Sequence, residues 1–329
     1  MKAISYSAFG AASDVLNYGD IENPIPSPGE VTVDLAYSAV NPSDVKARSG
    51  SRPGVTKPPF PVIVPHSDGS GRVSAVGSGV NPARIGEEVW VWNGQWRRPF
   101  GTAAQQIALP SEQAVPLPRK ASLETGATLG IPGTTAAHMV FSGGSVSDAS
   151  VLVHGGAGSV GFLAVQLAKW GGARVIATAS PGKSEKVLEA GADVVLDYAD
   201  PDLAAQIISA NGGHPVDRIV ELEFGENVET DIEVIAENGR INAYGSAHCP
   251  SPVLPFMPLM FKSVTLEMGL VYLLPRDVRD MAIGKLDHAI ADGALYSPVD
   301  RVLPLKATDE AHDLVASGRR NGAVLLEIP

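Results

Sequence analysis

Apolar positions along the chain fall into two textures. Up to about residue 120 they form short runs, such as Val31-Thr32-Val33-Asp34-Leu35 and Glu88-Val89-Trp90-Val91. These runs are cut apart by Pro24, Pro26, Pro28-Gly29, Pro53-Gly54, Pro58-Pro59 and Pro61. Short runs bounded by turn formers predict strands, and Pro116 and Pro118 mark the exit from this β-rich part. From Glu124 to about Leu266 apolar strands alternate with helical periodicity. Strands are predicted at residues 151–154, 174–179, 194–196, 218–222 and 240–244, with helices such as 203–209 and 228–236 between them. Alternation of that kind predicts a doubly wound parallel sheet. Beyond about Leu286 the texture is mixed again, with a helix at 309–317 and a last strand at 324–328.

One stretch organises the middle of the chain. Val151-Leu152-Val153-His154 runs into Gly155-Gly156-Ala157-Gly158-Ser159-Val160-Gly161, and Phe162, Leu163, Val165 and Leu167 follow at helical spacing. A strand, a Gly-x-Gly-x-x-Gly turn and a helix make an anion cradle, because glycine lets the backbone approach a pyrophosphate and the helix N-terminus points amides at it. With 35 glycines in the chain the pattern alone is weak. A second strand one helix length later, Arg174 to Ala179, makes it a βαβ unit. Dinucleotide-binding units that take NAD close that strand with an acidic residue; here Ala179-Ser180-Pro181-Gly182-Lys183 follows. A hydroxyl and an ammonium suit a 2′-phosphate, so Ser180 and Lys183 favour NADP(H). Lys183 equally suits a solvated position opening the next helix.

Length and charge then narrow the class. The 329 residues suit two domains of a soluble globular protein. A net charge of −11 without a lysine and arginine run argues against nucleic acid and membrane surfaces as partners. No stretch approaches the roughly 18 apolar residues of a membrane span, and residues 1–10 lack an apolar leader core, which suggests a cytoplasmic protein. The single cysteine, Cys249, excludes an internal disulfide and a thiolate zinc cluster.

Several ordered motifs carry a family likeness over nearly the whole length: Asn41-Pro42-Ser43-Asp44, Pro65-His66-Ser67-Asp68-Gly69-Ser70-Gly71, Gly101-Thr102-Ala103-Ala104-Gln105, Pro132-Gly133-Thr134-Thr135-Ala136, the cradle itself, Gly191-Ala192-Asp193 and Asp197-Tyr198. The chain thereby resembles the medium-chain dehydrogenase/reductase superfamily, in its zinc-free quinone oxidoreductase branch that includes zeta-crystallin. The resemblance implies a GroES-like β-rich catalytic domain at residues 1–122 and 267–329, a Rossmann NADP(H)-binding domain at 123–266, and an active site in the cleft where they meet. It also implies that Ser180, Lys183, Tyr198 and Arg319 or Arg320 surround the 2′-phosphate. Tyr244-Gly245-Ser246 and Gly269-Leu270 would meet the nicotinamide, with Thr134 opposite it. A homodimer through the edge strand Val264 to Met268 is implied as well.

The departures are equally informative. Relatives that oxidise alcohols hold zinc with Cys, a His-Glu pair and a second Cys; Asn41 and Ser67-Asp68 stand at the corresponding places here. The seven histidines include no pair at helical ligand spacing, so no metal is expected. His66 replaces a family glycine, which puts the local backbone in question. Glu221 and Glu223 depart from the family pattern and would either influence substrate choice or face water.

Without a Lewis acid the acceptor must be electrophilic enough for unaided hydride transfer, as quinones and conjugated enones are. Asn41 and Asp44 are the candidate pocket residues, with loop capping as their alternative. Trp90 is expected in the core, while Trp92 and Trp96 are open to stacking an acceptor. An enone or enoyl-thioester reductase is the rival enzyme, and a non-catalytic binding or structural protein on a reductase scaffold is the rival of another class.

Overall fold

The computed structural model describes residues 1–51 and 54–329, so the turn expected at Pro53 lies outside the described residues. The chain divides into two compact units, one of Met1–Ile131 with Ser297–Pro329 and one of Pro132–Tyr296.

The second unit is built on a six-stranded parallel sheet. From edge to edge it runs Val194–Asp197, Arg174–Ala179, Ser150–Val153, Val216–Glu221, Ile235–Ala243 and Thr265–Met268. In chain order that is third, second, first, fourth, fifth, sixth, so the winding reverses beside the first strand, where a doubly wound sheet opens its ligand crevice. Strands covered on both faces need unbroken apolar runs, and Val151, Leu152, Val153, Val175, Ile176 and Ala177 are wholly buried. The helix Ser159–Trp170 covers them with Phe162, Leu163, Val165 and Leu167. The helix expected at 228–236 stops at Val234, and the strand expected at 240–244 begins at Ile235.

A helix that the sequence pattern did not reveal, Arg276–Ala291, completes this unit. It buries Ala282, Leu286, Ala289 and Ile290, but Arg279 occupies the same stripe. That guanidinium donates to the carbonyls of Val271 and Leu274 at 3.0 and 3.2 Å. A buried cation satisfied by main-chain oxygens masks an apolar period.

The first unit is β-rich. Its seven-stranded sheet runs Val299–Pro304, Ala323–Glu327, Glu30–Val40, Asp68–Val76, Glu88–Val91 and Ala114–Pro116, with Gln106–Pro110 also paired to Glu30–Val40. The last strand of the chain thus lies beside Glu30–Val40, as a domain assembled from both ends requires. Trp90 is buried here as expected; Trp92 is buried too, donating its indole N–H to the Glu112 carbonyl at 3.2 Å.

The unit boundaries fall later than residues 122 and 266. Residues 123–131 stay with the first unit because the Ser70 hydroxyl donates to the Leu123 carbonyl and the Ile131 N–H donates to Asp68, at 2.5 and 2.9 Å. Residues 267–296 stay with the second: the strand Thr265–Met268 spans the expected boundary, and the Tyr296 N–H donates to Gln166 at 3.0 Å.

Candidate functional site

The second unit carries the glycine cradle. The Gly156 N–H donates to the Thr178 carbonyl at 2.8 Å, and Gly158 donates back to the Gly155 carbonyl at 2.9 Å before the helix starts at Ser159. The three glycines of the motif have different duties. A Cβ on Gly161 would stand 2.2 Å from the Gly155 oxygen, and one on Gly156 would stand 2.9 Å from Val187. Those two let helix and turn close on the sheet. A Cβ on Gly158 would meet only the Gly155 oxygen, at 3.3 Å, and otherwise project into open space. Gly158 is exposed and Ala157, Ser159 and Val160 are half-buried, so the rim turns the helix N-terminus toward the surface, where an anion is favoured. A pyrophosphate fits the space that a side chain on Gly158 would fill.

Ser180 caps the turn Pro181–Lys183, which leads into the helix Ser184–Glu189. Ser180 and Lys183 are half-buried, Tyr198 is 60% exposed rather than packed at its strand end, and no carboxylate follows Ala179. Gly245 is required by packing, since a Cβ there would stand 2.2 Å from the Leu222 oxygen. Ser246 accepts the Gly225 N–H at 2.9 Å, and the Tyr244 phenol, half-buried and beside Glu221, is pushed above its ordinary value. Gly269 donates to the Ala243 carbonyl at 2.9 Å, with Met139 packed where its Cβ would be; Leu270 is exposed. Thr134 is buried at the start of the helix Thr134–Phe141.

The carboxylates Glu221 and Glu223 do not face water. Glu223 accepts the His248 N–H at 2.8 Å. Glu221 is wholly buried and accepts both the Glu223 N–H and the Asn227 amide. It lies 3.5 Å from Nε2 of His154, whose same nitrogen is 3.0 Å from Oδ1 of buried Asp231. Burial, then Asp231, push Glu221 up to about 7, against the pull of His154. Burial opposes charge on His154, but the two carboxylates outweigh it and raise the imidazole. Sequence reasoning missed this trio because its members come from a strand end, the next strand but two, and a helix. The signal available was the position of His154, directly before the glycine turn.

In the first unit Asn41 precedes the helix Pro42–Ser49 and donates its backbone N–H to the Asp44 carboxylate at 2.8 Å. Asp44 is therefore engaged in capping. The Asn41 amide turns inward and donates to Oδ2 of Asp68 at 2.8 Å, the oxygen that also accepts Ile131 N–H. Burial holds the Asp68 carboxyl well above the usual range, and its Oδ1 lacks a hydrogen-bond partner among the described residues. His66 is wholly buried at φ +77°, bonded to Ser38 and His312 at 2.9 Å each. Arg319 is exposed, whereas Arg320 is half-buried and donates to the Gly322 carbonyl at 2.9 Å.

Comparison with known proteins adds relatives to this geometry. An alcohol dehydrogenase GroES-like domain model matches residues 27–119, and a zinc-binding dehydrogenase model matches 159–286. The quinone oxidoreductase of Rattus norvegicus is 27% identical over an alignment of 330 positions that covers 99% of this chain and 97% of that protein. A solved NAD-dependent alcohol dehydrogenase is 30% identical with a TM-score of 0.88 and full coverage of both chains. A mycobacterial protein solved in complex with NADPH is 28% identical, with a TM-score of 0.86 over 99% of this chain and 100% of that one.

Proposed function

The chain belongs to the medium-chain dehydrogenase/reductase superfamily, in its quinone oxidoreductase branch, and from that premise we propose an NADP(H)-dependent, zinc-independent reductase that passes hydride to a quinone or a similarly conjugated carbonyl. One observation carries the reading. The strand that would meet the adenosine ribose ends at Ala179 and is followed by Ser180 and Lys183 with no carboxylate, in the unit whose cradle has an open Gly158 face. Its relatives include both an NAD-dependent enzyme and an NADPH complex, so the chain's own residues decide the preference. A dianionic 2′-phosphate gains from a hydroxyl and an ammonium and would lose against an acid. Tyr198 and Arg319 supply further polar surface to the same group in this reading.

Zinc does not fit the residues that stand at the family's catalytic zinc positions. Asn41 is a neutral amide turned to Asp68, Ser67 is a hydroxyl, and Asp68 already accepts two N–H groups through one oxygen. His66 is adjacent in sequence, but both its ring nitrogens are engaged by Ser38 and His312. Zinc needs several imidazole, thiolate or carboxylate donors converging on one point. The acceptor is therefore one that needs no Lewis acid.

The bound nicotinamide supplies the hydride. The protein's residues supply orientation: the cradle would hold the pyrophosphate, the segments at Gly245 and Gly269 are assigned to the nicotinamide, and Asn41, held by Asp68, is the polar contact assigned to the acceptor. Asp44 fixes the loop that presents Asn41. Thr134 is assigned to the nicotinamide. Water serves as the final proton source, so no general base is assigned. The edge strand Thr265–Met268, flanked by exposed Phe256 and Phe261, is assigned to a homodimer in the cytoplasm.

Side-by-side turnover of a simple quinone, a short enone and an acyl-CoA enone, each with NADPH and NADH, tests the proposal. The quinone should consume NADPH, with NADH a poorer donor. Turnover of the acyl-CoA enone alone would replace the reading with an enoyl-thioester reductase, and no turnover with any acceptor would leave a binding protein.

A further inference from the structure

The turn that forms the cradle is held from beneath by buried polar groups. Thr178, in the strand Arg174–Ala179, accepts two successive amides of the turn: Gly155 N–H on its hydroxyl at 3.1 Å and Gly156 N–H on its carbonyl at 2.8 Å. The hydroxyl also lies 3.3 Å from Nδ1 of His154, and Nε2 of His154 lies 3.0 Å from Asp231. The series is satisfied in either state of the imidazole: neutral, with Gly155 N–H to the Thr178 oxygen, the Thr178 O–H to Nδ1 and the Nε2 proton to Asp231; or charged, as the carboxylates favour, with Nδ1–H and Gly155 N–H both donating to the Thr178 oxygen and Nε2–H to Asp231. His154, Thr178 and Asp231 are all buried. Gly155 is at φ +64°, and its carbonyl is the atom against which Gly161 packs and to which Gly158 donates. Rotation of the Gly155 peptide would therefore displace the amides that face the anion.

We propose that His154 and Thr178 are positioning residues for the dinucleotide: the Asp231–His154–Thr178 relay fixes the Gly155 peptide and so presets the cradle for the pyrophosphate. This rests on the cradle holding NADP(H), as argued above. The relay supports the pyrophosphate and leaves the 2′-phosphate contacts alone. Its loss should weaken NADPH and NADH equally, without altering the preference between them. Once the site is saturated, hydride transfer should proceed at the parent rate.

The test is Thr178→Val, which keeps the shape and removes the hydroxyl, with Thr178→Ser as the conservative variant and His154→Gln as a second break. Calorimetric Kd values are measured for NADPH, NADH and 2′-AMP, with kcat and KM for NADPH at fixed quinone. One lost hydrogen bond predicts an increase of about threefold to tenfold in both dinucleotide Kd values and in KM. The 2′-AMP Kd and kcat should stay unchanged, and Thr178→Ser should restore the parent value. Unchanged dinucleotide affinity in folded Thr178→Val overturns the inference, as does a fall in kcat with KM constant. If His154→Gln does not fold, Thr178→Val and Thr178→Ser decide it alone. Failure of the parent protein to bind NADPH would instead sink the cofactor reading.

Discussion

At the scale of single residues, the glycine motif separates into positions that pack and a position that receives. Gly161→Ala puts a methyl 2.2 Å from the Gly155 oxygen, so it should cost about 1–3 kcal/mol of stability and abolish NADPH binding. Gly158→Ala meets nothing closer than 3.3 Å. Its stability should change by less than about 0.5 kcal/mol while the NADPH Kd rises at least about tenfold. Thermal melts and calorimetry on the two variants separate the roles; parent-like affinity in Gly158→Ala would deny the cradle its ligand. At the ribose, Ser180→Asp places a carboxylate where the NADP preference is assigned. It should lower the NADPH-to-NADH ratio of kcat/KM by about 10- to 100-fold, the worth of a bond to a charged group. The strand, glycine turn and helix were legible in the sequence because their pattern is local. The trio of His154, Glu221 and Asp231 was not, since no spacing rule links residues 67 and 77 positions apart.

At the scale of elements, one long-range contact in the first unit joins the segment before the strand Asp68–Val76 to the helix Thr308–Ala316. His66 sits at φ +77°, a conformation that costs a non-glycine residue about 1 kcal/mol or more. Its bonds to Ser38 and to His312, with the two rings stacked at 5.1 Å, offset that cost. The backbone at His66 was questionable from the sequence, but a partner 246 residues away leaves no local signal. Burial, then the Arg48 charge, push His312 down to about 3, and burial, then His312, hold His66 well below its ordinary value. Both rings are thus neutral in the folded protein while the unfolded chain protonates them near pH ~6.5. Their contribution is fully present above that pH and is lost as pH falls toward the folded values, at up to about 1.4 kcal/mol per pH unit for each ring. Asp68 acts oppositely: its raised pKa gives stability at low pH that is lost as pH rises. The histidine part is therefore isolated by difference. Between pH ~6 and ~4, His312→Gln should lose unfolding free energy less steeply than the parent, by about 1.4 kcal/mol per pH unit in denaturant titrations. Parallel slopes would mean that His312 is charged in the folded state.

At the scale of the whole molecule, the two textures of apolar spacing were enough to separate a β-rich part from a parallel sheet, because each periodicity records which faces a strand buries. The compact units divide after Ile131 and after Tyr296, where polar side chains add to apolar packing. Asp68 and Ser70 hold residues 123–131, while Gln166 and the Arg279-bearing helix hold residues through Tyr296. Assembly is the remaining question at this scale. Among the described residues the strand Thr265–Met268 is paired on one side only, and an unpaired strand edge invites another strand. Beside it in sequence Phe256, Phe261 and Met268 are 63%, 75% and 71% exposed, in a chain whose net charge is −11. Two such chains repel, so a dimer must rest on apolar contact and strand pairing, and added salt should strengthen it by screening. Phe261→Glu disturbs little within one chain because the ring is already in water. It should nonetheless shift the sedimentation coefficient from dimer to monomer at the same concentration, while the variant stays folded and loses only the part of its melting temperature that association supplied. A parent protein that sediments as a monomer at all salt concentrations, or a Phe261→Glu variant that stays dimeric, removes this edge as the interface.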